Sequence, residues 1–305
     1  MGGLGMMMPW VVGQAAEQAS DVAEVTVQTI TLFRAVVIGI VQGLTEFLPI
    51  SSTAHVKVVP VLLGWGDPGV SFTAVIQLGS VAAILWYFWD DLSSVTAKFV
   101  QAVFDRRFDG PDFRLGLGIL LGTLPIVTVG LFIKLFVPGY DKSIIRSTGA
   151  IAITSIVMAM LLGVAELMGQ RQRDFSKLGL GDGLAVGIAQ MLALIPGVSR
   201  SGSTLTAGLF VGLKRETAAR FSFLLGTPAI LLSGLVSITD VVGSDSAVGL
   251  VPLIGGLVAA VISSYLAIAW LIEFLKTHST WVFVWYRLAF GAVLLIAIVS
   301  GLENI

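Results

Sequence analysis

The chain has 305 residues, 56% of them hydrophobic and 12% charged, with a formal net charge of -1. A soluble domain carries about a quarter charged residues, so this composition excludes one and points to a bundle of membrane helices. A net charge so near zero excludes the basic field of a nucleic-acid binder, and the lack of cysteine excludes disulfides and thiolate metal sites.

Taken in chain order, residues 1–28 hold Glu17, Asp21 and Glu24, with no basic residue before Arg34. They lack the cationic start of a signal peptide and read as a polar N-terminal leader before a single membrane domain over 29–305. Residues 30–63 are apolar but broken at Pro49 by a Ser-Ser-Thr run. Residues 70–89, 115–137 and 147–168 are each long and apolar enough to span. Residues 183–213 are again apolar but broken, at Pro196, by Ser-Arg-Ser-Gly-Ser, and residues 218–237, 248–275 and 281–300 supply three more spans.

Proline removes a helical hydrogen bond and disfavours helix in the residue before it, so each broken region splits into two arms too short to cross alone. Each reads as a re-entrant hairpin, and irregular backbone at membrane depth is tolerated only inside protein or beside a watery cavity. Basic residues orient the rest: Lys98, Arg106, Arg107, Arg114, Arg171, Arg173, Lys177, Lys214, Arg215 and Lys276 mark cytoplasmic loops. Asp240 and Asp245 suit an outer loop, and Lys142 and Arg146 weaken the pattern in another without reversing it. The first hairpin then enters from outside and the second from the cytoplasm.

Internal likeness agrees with that inversion. Gly39-Ile40-Val41-Gln42 is echoed by Gly187-Ile188-Ala189-Gln190, and at an offset of 147 Pro49 pairs with Pro196, Ser52 with Ser199, and Leu78-Gly79-Ser80 with Leu225-Gly226-Thr227. The expected fold is an all-α polytopic membrane protein of two inverted-topology repeats, about 30–137 and 183–275, in which six transmembrane helices surround two re-entrant hairpins meeting near the midplane.

Two constellations carry chemistry. In the first, Gln42 and Glu46 lie four apart on one helical face, and Ser51, Ser52, Thr53 and His55 follow Pro49. An ionisable residue in an apolar segment costs about 2.5–3.5 kcal/mol on insertion scales, so Glu46 is expected to be partnered or functional. Ser52 and His55, three apart, share a side of any helix starting after Pro49, where imidazole can take up the serine proton. In the second, Ser199, Arg200, Ser201, Gly202 and Thr204 follow Pro196, and glycine, hydroxyls and a helix N-terminus read as a phosphate cradle. Arg200 adds a planar, permanently charged fork for phosphate oxygens, or else pairs with Glu46. Together the two suit a pyrophosphate headgroup, and Glu46 can hold a divalent metal whose remaining shell is water and phosphate.

These segments resemble the signatures of the bacterial undecaprenyl pyrophosphate phosphatase family, which is also linked with bacitracin resistance. Gln42 and Glu46 fall on its (Glu or Gln)-x-x-x-Glu motif, Ser51 to His55 on Ser-Ser-Thr-x-His, and Pro196 to Gly202 on Pro-Gly-x-Ser-Arg-Ser-Gly. The resemblance implies a hydrolase of the bacterial cytoplasmic membrane that converts the C55 pyrophosphate to the monophosphate. It also implies a divalent cation, Mg2+ or Ca2+, an active site open to the extracytoplasmic side, and catalytic roles for Glu46, Ser52, His55 and Arg200. Gln42 stands where many members carry glutamate, so a metal site of two carboxylates is not expected here. The nucleophile stays open between Ser52, His55 and a metal-bound water. A flippase of polyprenyl phosphate is the competing class. Partners are the polyprenyl pyrophosphate and membrane lipids, with a homodimer left open and no nucleic acid.

Overall fold

The computed structural model describes residues 30–140, 143–242 and 249–301. The leader at 1–28 lies outside the described residues, as do Lys142 and Asp245 among the charges used for orientation. Eleven α-helices and no sheet strand occur among the described residues. In chain order they are α1 (Leu32–Phe47), α2 (Ser52–Leu62), α3 (Val70–Tyr87), α4 (Trp89–Phe104), α5 (Pro111–Phe136), α6 (Thr148–Met168), α7 (Leu180–Met191), α8 (Arg200–Phe210), α9 (Arg215–Val242), α10 (Leu250–Thr277) and α11 (Trp281–Val299).

Five helices are long and apolar enough to cross a membrane: α5, α6, the Arg215–Leu235 part of α9, α10 and α11. A sixth span is reached only if α3 and α4 count as one, and they do not run straight on. The chain turns by 71° between them, at Phe88. The cytoplasmic loop expected around Lys98 is therefore helix α4, whose Asp90 and Asp91 sit in its first turn, where the helix dipole favours negative charge. Helix α4 folds back on α5, with the rings of Phe99 and Phe113 stacked at 5.4 Å.

Both broken regions form pairs of short helices. Helix α1 ends at Leu48, which is extended (ψ 141°) as a residue before proline prefers. Helix α7 ends in a single 3-10 turn at Leu192–Leu194, before Pro196. Each first arm is pressed onto a span of the other half of the chain, α1 onto α10 and α7 onto α5. Glycines make that approach possible. A Cβ on Gly39 would lie 2.2 Å from the Gly256 carbonyl oxygen, and one on Gly187 would lie 2.2 Å from that of Gly122. Small residues four apart let helices in lipid gain packing that hydrophobic burial does not supply there.

The largest buried cluster gathers Phe47, Leu205, Leu209, Phe221, Leu224, Leu225 and Leu271 around α8 and α9. Large apolar side chains such as Phe132, Ile254, Val293 and Ile296 face outward, as a lipid-facing surface requires.

Charged contacts separate the two ends. At one end Glu166, 3% exposed, accepts from Arg171, Arg215 and the Thr280 hydroxyl, so the α6–α7, α8–α9 and α10–α11 connections converge. Arg173 there makes a paired contact with Asp182 (2.7 and 2.6 Å), which raises its pKa, and its backbone N–H meets the Gly212 carbonyl. Arg220 reaches Asp91 at 2.5 Å. At the other end of α6, Lys57 donates to the Arg146 carbonyl and the Tyr140 hydroxyl to the Leu194 carbonyl.

Candidate active site

The end of α1 and the start of α8 meet at one carboxylate. Glu46, 6% exposed, accepts from Ser52 Oγ (2.6 Å) and Gln42 Nε2 (2.9 Å) at Oε2, and from Arg200 Nη2 (3.0 Å) and Gln77 Nε2 (3.4 Å) at Oε1. Arg200 Nη1 donates to the Gly226 carbonyl at 3.2 Å. The alternative of an ion pair between Glu46 and Arg200 is thus realised, and it joins the two broken regions directly.

Two serines shape the turns into the second arms. Ser51 precedes α2 with φ 77° and Ser199 precedes α8 with φ 70°. Such a conformation strains a residue with a side chain by about 1–3 kcal/mol, and strain of this kind clusters at functional sites. Ser199 Oγ accepts from the Gly202 N–H (3.1 Å), and Ser201 Oγ donates to the Leu48 carbonyl (2.9 Å). By backbone, Ser51 matches Ser199 at an offset of 148, the offset that also pairs Gln42 with Gln190. The expected pairing of Ser52 with Ser199 is therefore one residue off, because Gly197 adds a residue between proline and serine in the second turn.

A cavity of about 710 Å³ opens on these turns. Glu46, Ser51, Ser52, Thr53, Gln77, Ser199 and Arg200 line its polar end, Ile126, Leu131, Val137 and Ile230 give it an apolar wall, and Lys134, Tyr140 and Arg146 lie at its α5–α6 end. The first turns of α2 and α8 both border it, and first-turn N–H groups lack acceptors within their own helix, which makes them anion-binding ends. A cavity of this size suits a small polar headgroup.

The expected site residues divide. Glu46, Ser51, Ser52, Thr53, Ser199 and Arg200 line the cavity, whereas Gln42, His55, Ser201, Gly202 and Thr204 lie behind its wall and hold it. Thr204, fully buried, donates to the Arg200 carbonyl (2.7 Å) and bonds Ser222.

His55 does not meet Ser52. Its Nδ1 bonds the Ser51 carbonyl (2.7 Å), which can only accept, so the proton sits on Nδ1 and Nε2 accepts from the Tyr286 hydroxyl (2.6 Å). The ring stacks on Phe290 at 4.4 Å. Ser52 gives its own proton to Glu46 instead. His55 thus braces the strained Ser51, and His55→Ala is expected to lower any activity that depends on Ser52 about hundredfold, by misplacing that hydroxyl. His55→Gln, whose amide can still donate to Ser51, retains more activity than His55→Ala in a steady-state assay, whereas loss of a general base would affect both equally.

Sequence reasoning missed the group that ties both turns together. Arg287 of α11, 1% exposed, donates to the carbonyls of Pro49 (3.1 Å), Gly197 (2.7 Å), Val198 (3.0 Å) and Ser155 (3.3 Å). It makes no ion pair among the described residues. The signal was an arginine inside an apolar span, which is expensive unless used. Two arginines against one carboxylate leave the centre positive, as an anion requires.

A resident metal fits this centre poorly. Among the described residues no three His, Asp or Glu side chains gather, and Glu46 is the one carboxylate on the cavity wall. One carboxylate supplies a single side-chain anchor, so a cation here takes the rest of its shell from water and phosphate oxygens.

The fold and the centre define a multi-pass membrane protein with a buried, positively biased site beside an apolar wall. The model of the family described as bacitracin resistance protein BacA matches residues 35–293, and the chain belongs to that family. It is similar to an undecaprenyl-diphosphatase of a Nostoc species, 62% identical over 277 residues that cover 90% of this chain and 87% of the relative. It is also similar to the undecaprenyl-diphosphatases of Synechococcus elongatus, 61% identical over 90% of this chain and 96% of the relative, and of Trichodesmium erythraeum, 56% identical over 91% and 89%.

Proposed function

We propose that this protein hydrolyses undecaprenyl pyrophosphate to undecaprenyl phosphate and inorganic phosphate, returning the lipid carrier to cell-wall synthesis and opposing bacitracin. The observation that carries the reading is one cavity in which Ser52, Glu46, Arg200 and two helix N-termini face an apolar wall. An amphiphile with a pyrophosphate head and a polyprenyl tail matches both halves of that cavity.

In the mechanism, Arg200 and the first turns of α2 and α8 hold the phosphates, and two helix dipoles neutralise their charge. Ser52 Oγ forms a bond to the terminal phosphorus as its proton passes to Glu46 at 2.6 Å, and the bridging P–O bond breaks to release undecaprenyl phosphate. Glu46 hands that proton to the departing lipid phosphate. A water then attacks the phosphoserine, giving a proton to Glu46, which returns it to Ser52 Oγ as the P–Oγ bond breaks and inorganic phosphate leaves. Gln42 and Gln77 hold the Glu46 carboxylate in place through both steps. A divalent cation held by Glu46 and the pyrophosphate would neutralise charge on the phosphate oxygens.

The two halves are read as inverted repeats with re-entrant hairpins meeting near the midplane. Supporting this are the matched φ of Ser51 and Ser199, the 148-residue offset shared by the two glutamines, and the exchange of first arms between halves. The cavity's α5–α6 end lies across α6 from the basic end of the molecule. With the basic end in the cytoplasm, the site opens to the extracytoplasmic face of the cytoplasmic membrane.

The test is phosphate release from C55 pyrophosphate by purified protein in detergent, with Mg2+ and with a chelator. The expected result is release that the chelator abolishes. A flippase without hydrolase activity would release none under either condition.

A further inference from the structure

The amide of Gln190 on α7 is fully buried, and neither its oxygen nor its nitrogen has a hydrogen-bond partner among the described residues. Buried polar groups are nearly always paired, so an orphaned amide needs a reason. Its counterpart in the first half does not share this state. Gln42 likewise stands nine residues ahead of a serine of positive φ, and its amide anchors Glu46 at 2.9 Å.

The position of Gln190 relative to Arg200 supplies the reason. A Cβ placed on Gly226 would lie 2.9 Å from Arg200 Nη1 and 3.4 Å from Gln190 Oε1, so guanidinium and amide share the space above that glycine. Arg200 is spoken for in this state by Glu46 and the Gly226 carbonyl. Gln190 does not line the cavity and acts from behind the arginine.

We propose that Gln190 is a positioning residue for Arg200: its amide oxygen accepts a hydrogen bond from the guanidinium when that group leaves Glu46 to hold the substrate's phosphates. The fork is planar, so fixing one edge on Gln190 and the Gly226 carbonyl aims the other at the ligand. The exchange frees Glu46 to take a proton in the same movement. An apolar residue at this place would suit the ligand-free state better, which is why stability and activity are expected to diverge on its replacement.

This inference rests on the hydrolase reading, and one experiment tells their failures apart. Steady-state phosphate release from C55 pyrophosphate and the thermal midpoint without substrate are measured for wild type, Gln190→Met and Gln190→Leu. The expected result is a kcat/KM at least tenfold lower in both variants with a midpoint equal to or above wild type, the loss of one hydrogen bond to a charged group. Variants as active as an active wild type would overturn the inference alone. So would a midpoint that falls with activity, or failure of both variants to fold, since the amide would then serve the ligand-free structure. A folded but inactive wild type would overturn the hydrolase reading and this inference with it.

Discussion

Replacing Glu46 with glutamine is expected to lower the rate of phosphate release by on the order of 10³-fold, the combined loss of a proton acceptor and of a preorganised charge. The amide keeps the size of the side chain, and its one oxygen can still accept from Arg200 while the Ser52 hydroxyl turns to accept from the NH2, so the scaffold largely persists. What disappears is the charge that takes the Ser52 proton across 2.6 Å and balances Arg200 at 3.0 Å. The loss falls on kcat, because proton acceptance matters in the transition state more than in binding. Glu46→Asp keeps the charge but draws it back by one carbon and recovers part of the rate. The measurement is steady-state release by each variant at saturating lipid, with the thermal midpoint taken alongside.

The second large effect is expected at Arg287, which touches no cavity residue's reactive atom. Arg287→Met leaves the carbonyls of Pro49, Gly197, Val198 and Ser155 without their donor in a buried place. Each such orphan costs about 1–3 kcal/mol, so a loss of at least 3 kcal/mol of stability is expected. Activity falls with it, because the two turns that carry Ser52 and Arg200 lose their common anchor. Arg287→Lys restores the charge but reaches fewer of the four carbonyls, and is expected to fold better than Arg287→Met while remaining at least a hundredfold slower than wild type. Thermal midpoint and release rate measured together check both variants, and a fully active Arg287→Met would remove the anchor from the account.

Much of this architecture was legible in local sequence. Pro49 and Pro196, each followed by hydroxyl-rich residues inside an apolar run, announced the broken helices, and five spans lie close to their expected bounds. Glu46, Ser52 and Arg200, which the structure brings together, stood out because charge and hydroxyl clusters are conspicuous in so apolar a chain. The family resemblance pointed to the same residues, and the chain's membership agrees with it.

What was not legible depends on partners distant in sequence. Ser52 and His55 share a helical side by spacing, but spacing does not say which neighbours compete for them. Glu46 captures the Ser52 hydroxyl, while Tyr286 and Phe290 of α11 capture the imidazole. Tyr286 and Arg287 drew no notice inside an ordinary span, since their imidazole and carbonyl partners lie 89 to 238 residues away. Helix α4 was missed because its polar face reads as a loop until α5 is there to pack against.

That Ser52, activated by Glu46 at the meeting of two broken helices, carries the chemistry is the proposal the geometry supports. It is tested most directly by phosphate release from C55 pyrophosphate by purified wild type and Ser52→Ala in detergent with Mg2+. The account predicts steady release by wild type and a rate at least 10³-fold lower for a Ser52→Ala variant of unchanged thermal midpoint. Release by Ser52→Ala at the wild-type rate would contradict it.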